Sequence, residues 1–163
     1  MLSPITMSRR RTIEPDTKTA LMKATDLLAR QDQSERALKR KLTARKYAAD
    51  EIDEALDKLK QHNYLNDEET CARQFERLYD DGKLSLKQIY AKLLGRGFDG
   101  ALIDKQVPSD VDEHERAAAL RALRAKFRAV PEDKKMWQHL SYRGFDGETI
   151  AFAVNEFKNN LGR

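Results

Sequence analysis

The chain has 163 residues, of which 36% are charged, and its formal net charge is +4. That length suits one compact domain or several small stacked units, and the dense mixture of charges is typical of a water-exposed surface. No stretch approaches the roughly 20 apolar residues of a transmembrane helix, and only seven Gly and four Pro interrupt residues that favour helices, so we expect no membrane span and no strand.

Residues 1–17 show no helical periodicity, and we expect this basic tail to be disordered. It contains Arg9, Arg10 and Arg11, which could give mobile contacts to phosphates. No apolar run follows these arginines, so the segment resembles neither a secretory signal nor a membrane anchor. The sequence therefore predicts a cytoplasmic protein.

An internal repeat organises the rest of the chain. Three segments share one spacing of apolar and basic residues, which we call the repeat frame: Leu38 to Leu56, Ile89 to Val107, and Met136 to Val154. In each segment an apolar residue precedes a leucine by four positions, and an arginine, an aromatic residue and an isoleucine follow at fixed intervals. This spacing predicts a helix, a tight turn and a second helix in each segment.

The turn chemistry supports this prediction in the second and third segments. Gly97 and Gly144 can adopt the left-handed conformation that ends a helix, and Asp99 and Asp146 can cap the next one. The first segment departs from the pattern, because Lys46 stands where the other two have glycine.

An amphipathic segment precedes each pair of helices, so each unit is predicted to contain three helices. The predicted boundaries are 18–64, 65–109 and 110–159 for the three repeats, with a frayed end at 160–163. Pro108 should shorten the last helix of the second repeat. Because units of this size bury little apolar surface alone, we expect neighbours to stack and to share apolar surface.

The second helix of the first repeat is the most basic stretch, and it indicates an acidic or phosphate-bearing partner. Matching positions in the other repeats place further basic pairs four residues apart, which stacking could align into a stripe. The candidate partner or DNA-binding residues are Arg36, Lys39, Arg40, Lys41, Arg45, Lys92, Arg96, His139 and Arg143. Two other interpretations stay open: a solvated face balanced by nearby carboxylates, or arginines that bind the last carbonyls of their own helices.

A second basic run lies in the third repeat, where solubility alone could explain it. It comprises Arg116, Arg121, Arg124, Lys126, Arg128, Lys134 and Lys135. Trp137 and Tyr142 follow in the next predicted helix, where an exposed aromatic residue could anchor a partner; we expect them instead to pack beside Met136 and Leu140.

The chain offers no recognisable catalytic or metal site. Its only cysteine, Cys71, lies on an apolar face and should be buried, and the three histidines, His62, His114 and His139, lack the spacing of metal ligands. No serine or cysteine has a base at a motif spacing. We therefore expect no enzymatic activity, no metal and no cofactor.

Several short motifs, in this order, resemble the RecX family of regulatory proteins. They are Tyr64-Leu65-Asn66-Asp67, Ala72 with Phe75, and Ile89 with Leu93 and Arg96-Gly97-Phe98. The first repeat also matches the family's pattern, from Leu27-Leu28-Ala29-Arg30 through Leu38 and Glu51-Ile52 to Leu59. The resemblance covers roughly Leu21 to Phe157. Lys46 and the arginine-bearing tail depart from the family's pattern.

The resemblance implies an all-α fold of tandem three-helix, helix-turn-helix-like repeats stacked into an elongated, curved array. It further implies a monomeric cytoplasmic regulator in DNA repair, homologous recombination and the SOS response. Its partner would be the RecA filament on DNA, whose ATPase, growth and strand exchange it would inhibit, with at most weak non-specific binding to DNA. The alternative is a helix-turn-helix transcriptional regulator, for which the turn around Arg96-Gly97-Phe98 would precede a recognition helix.

Overall fold

The computed structural model describes residues 18–161, and within them it contains nine α-helices and no strand. The first repeat contains α1 (Ala20–Arg30), α2 (Glu35–Ala44) and α3 (Ala49–Gln61). The second contains α4 (Asp67–Asp81), α5 (Leu86–Gly95) and α6 (Gly100–Asp104), and the third contains α7 (Asp112–Lys126), α8 (Asp133–Tyr142) and α9 (Gly147–Leu161). The predicted all-α fold of tandem three-helix repeats is confirmed.

Polar caps fix where the helices begin. The side chains of Thr19, Ser34 and Asn66 accept hydrogen bonds from backbone N–H groups in the first turns of α1, α2 and α4. Ser85 and Gln88 form a reciprocal capping box at the start of α5. Each such cap is worth about 1 kcal/mol, because it satisfies a backbone donor that the helix itself leaves unpaired.

The buried apolar side chains form three separate clusters, one for each repeat. The first is built around Leu38, Leu42 and Ile52, the second around Ile89, Leu93 and Phe98, and the third around Met136, Leu140 and Ile150. Cys71 is fully buried in the second cluster, as predicted. The three cores are separate, but Leu65, the first residue of the predicted second repeat, packs in the first cluster, so these two repeats share apolar surface there.

The turn after each second helix contains a left-handed residue, as predicted for the second and third repeats. Gly97 and Gly144 have φ angles of +94° and +86°, and Lys46 adopts the same conformation at +65°. Asp146 caps α9 as predicted, accepting a hydrogen bond from the N–H of Thr149 at 2.8 Å. The prediction for Asp99 is wrong, because its side chain makes no capping bond to α6.

The ends of the second and third repeats show how local sequence limits helix length. Helix α6 has only five residues, consistent with the shortening expected from Pro108. Helix α9 continues to Leu161, past residue 159, the predicted end of the third repeat. The predicted tail, 1–17, and residues 162–163 lie outside the described residues.

Replacing Gly97 with alanine should destabilise the protein by more than about 1 kcal/mol. A Cβ atom there would lie 2.5 Å from Ser34 Oγ, and the φ angle is one that L-residues rarely adopt. Urea unfolding followed by circular dichroism at 222 nm measures the change.

Gly95→Ala is the matched control, because this residue lies at the end of α5 and an added methyl group would have nothing within 4 Å. It should raise stability by about 0.5–1 kcal/mol through helix propensity. Equal losses in the two variants would contradict the assigned role of Gly97.

Candidate functional site

The first and second repeats meet where the turn after α5 contacts the beginning of α2. The Ser34 hydroxyl donates to the backbone carbonyl of Arg96 at 2.6 Å and accepts from the N–H of Ala37 at 3.1 Å. The absence of a side chain at Gly97 permits this approach. The carbonyl end of α5 therefore lies against the N–H end of α2, an arrangement that aligns the two helix dipoles.

The second and third repeats meet in the same way. Ser85 donates its hydroxyl proton to the carbonyl of Arg143 at 2.6 Å and accepts from the N–H of Gln88 at 3.1 Å. Gly144 lies against the side-chain stem of Lys87, which would be only 2.8 Å from an added Cβ. Helices α8, α5 and α2 thus follow one another, the C-terminal end of each at the N-terminal end of the next.

A carboxylate completes each junction, half-buried in the case of Asp67 and buried in the case of Glu115. Asp67 accepts from the N–H of Glu35 at 2.8 Å, and Glu115 accepts from the N–H of Leu86 at 2.7 Å. Both carboxylates come from the first helix of the following repeat and bind the first N–H of the preceding repeat's second helix. Burial raises the pKa of Asp67 and of Glu115, although each backbone N–H opposes the rise.

Two of the predicted partner-binding arginines lie half-buried at these junctions. Arg96 Nη1 donates to Gln74 Oε1 at 2.7 Å, and Gln74 in turn donates to the carbonyl of Asp32 in the first repeat at 3.1 Å. Burial lowers the pKa of Arg96, and the charge of Arg77 adds to the effect. Arg143 Nη2 donates to the carbonyl of Lys83 at 3.2 Å. Both side chains therefore connect structural elements.

The basic residues of α2 are mostly engaged within the protein. Arg36 pairs with Asp99 across the first junction at 2.9 Å, which accounts for the missing cap on α6. Lys39 pairs with Asp53 at 2.7 Å.

The remaining α2 candidates differ in their availability. Arg45 donates to the carbonyl of Lys41 at 2.8 Å, while the Lys41 ammonium bonds the side chain of Gln33. Arg40 is exposed, and its side chain has no hydrogen bond or ion pair with residues 18–161. One cation of this helix is thus fully available.

The two remaining candidates differ in exposure. Lys92 is exposed on α5 and has no ion pair within the described part of the chain. His139 is half-buried, with its ring edge-to-face against Phe127 at a centroid distance of 5.9 Å. Burial lowers the pKa of His139, and the charges of Arg143 and Lys126 lower it further. The three matched pairs therefore do not present equivalent exposed charges.

The expected burial of the α8 aromatics is wrong. Tyr142 is 94% exposed and Trp137 is 40% exposed, whereas Met136 and Leu140 are fully buried. Tyr142 lies six residues after Met136 and two after Leu140, a spacing that places it on another side of the helix. Helical position was thus the sequence signal that could have identified this exposed residue.

Within residues 18–161, no helix is both long and apolar enough to cross a bilayer. In the same range, no group of three or more His, Cys, Asp or Glu residues is placed to hold a metal ion.

Comparison with known proteins places the chain among RecX proteins. A family model described as the first three-helix domain of RecX matches residues 20–59. The regulatory protein RecX of Clostridioides difficile is 32% identical over 145 residues, covering 84% of this chain and 67% of that protein. The regulatory protein RecX of Neisseria gonorrhoeae is 31% identical over 144 residues, covering 84% of this chain and 90% of that protein.

A solved structure supports the fold. The crystal structure of RecX from Lactobacillus salivarius superposes with a TM-score of 0.67 at 18% identity. The match covers 86% of this chain and 95% of that one.

Replacing Glu115 with glutamine should stabilise the protein at pH 7. The amide oxygen can still accept from the N–H of Leu86, and the cost of burying a charge is removed. The folded-state pKa of Glu115 is raised above its ordinary value of 4.5. As the pH rises from this ordinary value to the raised one, ionisation of the carboxyl reduces the stability of the folded protein. The gain should therefore disappear at about pH 4, where the carboxyl is protonated in both states.

Thermal unfolding at pH 4 and pH 7 measures this difference. Glu113→Gln is the control, since Glu113 is an exposed carboxylate in the same helical turn. A pH-independent gain, or an equal gain in the control, would show that the burial of Glu115 is not the cause.

Proposed function

Because the chain belongs to the RecX family of regulatory proteins, we propose that it is a negative regulator of the RecA recombinase. It binds the RecA filament on DNA and inhibits its ATP hydrolysis, growth and strand exchange. It acts in the cytoplasm as a monomer and as a binding protein, without a cofactor.

The observation that carries this proposal is the family match together with the serial arrangement of similar helices. Helices α2, α5 and α8 follow one another through the Ser34 and Ser85 junctions. A filament presents the same surface at regular intervals, so a protein with repeated surfaces can contact adjacent subunits at once. Bridging adjacent subunits would hinder the movements that accompany ATP hydrolysis.

Electrostatic attraction supports the same interaction. Arg40 and Lys92 are exposed on the second helices of neighbouring repeats, and no carboxylate of residues 18–161 forms an ion pair with either. Such cations can pair with acidic groups on a partner without first breaking an internal contact.

The helix-turn-helix alternative finds no support around Gly97. The turn is covered by Ser34 and Arg36 of the preceding repeat. The helix that follows, α6, has five residues, little more than one turn. A recognition helix requires a longer exposed surface to enter the major groove.

The experiment that tests the proposal measures RecA-catalysed ATP hydrolysis on single-stranded DNA while this protein is added. Inhibition well below one molecule per RecA monomer is the expected result, because one bound molecule affects more than one subunit. No inhibition at equimolar protein would reject the proposed function.

Reversing both free charges, in the double variant Arg40→Glu/Lys92→Glu, should raise the concentration needed for half-inhibition about tenfold or more. The loss should be larger at low salt, where charge attraction is least screened. The same ATPase assay at two salt concentrations measures it.

The control is Lys105→Glu/Lys158→Glu, which makes the same change in net charge on α9 and next to α6. Both lysines are exposed, and each lies near a carboxylate of the protein, Glu68 at 3.6 Å and Asp133 at 3.0 Å. Equal effects of the two double variants would attribute the loss to net charge alone.

A further inference from the structure

A group of unpaired cations surrounds the connection between α7 and α8. All are exposed or half-buried, and none of their side chains forms a hydrogen bond or an ion pair with residues 18–161; they are Arg124, Lys126, Arg128, Lys134 and Lys135. Two carboxylates, Glu132 and Asp133, lie in the same stretch, and Asp133 is already paired with Lys158 at 3.0 Å. The connection therefore carries a net excess of positive charge.

In the first repeat, by contrast, several lysines form ion pairs with carboxylates. Lys39, Lys58 and Lys60 are each paired with a carboxylate of the same repeat. Part of the positive charge of the first repeat is thus paired in the fold, whereas the five cations around the α7–α8 connection are not. Solubility explains a charged surface, but it does not explain why five unpaired cations gather around one connection.

Two of the unpaired cations oppose the stability of their own helix. Lys134 and Lys135 lie in the first turn of α8, whose N-terminal end carries a partial positive charge. A cation there costs about 0.3–1 kcal/mol, whereas a carboxylate would stabilise the helix by a similar amount. These lysines are therefore not explained by the stability of α8.

Exposed aromatic side chains share the outer surface of α8 with these lysines. At 100° per residue, Lys134 and Tyr142 lie on the side away from the buried Met136 and Leu140, while Trp137 lies at the edge of the buried face. Tyr142 is almost completely exposed, and Trp137 is partly so. This surface thus combines positive charges with one almost completely exposed ring, Tyr142, and one partly exposed ring, Trp137.

The repeat frame does not require these aromatic residues. At the positions of α2 that match Trp137 and Tyr142, the chain has Lys39 and Ala44, and at those of α5 it has Tyr90 and Gly95. The three helices fold alike with different residues there. The combination of free cations and exposed rings is specific to α8.

We propose that the outer face of α8, with the α7–α8 connection, binds single-stranded DNA. Arg124, Lys126, Arg128, Lys134 and Lys135 contact phosphates, while Trp137 and Tyr142 stack on bases. Stacking requires unpaired bases, which a duplex does not offer, so the surface favours a single strand. This contact needs no RecA and goes beyond the proposed function.

The single tryptophan of the chain, Trp137, reports directly on this surface. The full-length protein is titrated with an oligothymidylate of about 30 nucleotides in low salt, without RecA, and tryptophan fluorescence is recorded. Saturable quenching is expected, because a base stacks on the indole. Heparin, a polyanion without bases, should compete for binding without quenching Trp137.

Lys134→Ala/Lys135→Ala should weaken binding of a fluorescein-labelled oligothymidylate several-fold. It should also reduce the slope of log K against log[salt] by about 1.4, or 0.7 for each lost phosphate contact. Tyr142→Ala should weaken binding without changing that slope, because it removes stacking alone. The matched control is Lys58→Ala/Lys60→Ala, which removes the same charge from paired lysines of the first repeat and should leave the affinity nearly unchanged.

Two results would overturn the assignment. An equal loss of affinity in the two double variants would show that net charge alone attracts the strand. Competition by polyglutamate as strong as that by the oligonucleotide would assign the surface to acidic proteins. Because RecA is absent, either result leaves the proposed inhibition of the filament to its own ATPase test.

Discussion

The serine hydroxyl at each junction is the interaction on which the arrangement of the repeats depends. Ser34 accepts from the first turn of its own helix and donates to the carbonyl of Arg96, at the end of a helix in the next repeat. One side chain therefore satisfies backbone groups at two helix ends, which would otherwise remain unpaired. Ser85 does the same at the second junction, so the two contacts set the same relation between successive repeats.

Because the serine junctions set the arrangement of the repeats, the first and last repeats can depart from the repeat frame where they have no junction. Within residues 18–161 no other repeat contacts the turn at Lys46, so a side chain is tolerated there despite the positive φ angle. At the other end, Glu132 occupies the position of Ser34 and Ser85, and its side chain makes no capping bond. At the turn position and at the cap position of the repeat frame, glycine and serine thus occur only where two repeats meet. The repeat frame therefore reflects the junctions as well as the helices.

Much of this fold follows from the sequence, because apolar spacing and turn chemistry act locally. The left-handed glycines and the short α6 are examples, both predicted from neighbouring residues. The positions of Arg96 and Arg143 could not be predicted in this way. An arginine at a helix end has the same local sequence whether its guanidinium faces solvent or a neighbouring repeat. Only the stacking of the repeats determines which of these two environments the guanidinium has.

The candidate site was harder to predict for the same reason. The charge of α2 suggested a binding surface. The carboxylate that pairs with Lys39 lies on α3, however, and the one that pairs with Arg36 lies in the second repeat. The availability of a cation depends on its neighbours in space, so a count of basic residues along one helix overstates it. Positions that the repeat frame leaves unconstrained, such as Lys134 and Tyr142, are free to serve recognition because neither the cores nor the junctions use them. In a chain of repeats, residues that differ between equivalent positions therefore indicate function more directly than those that recur.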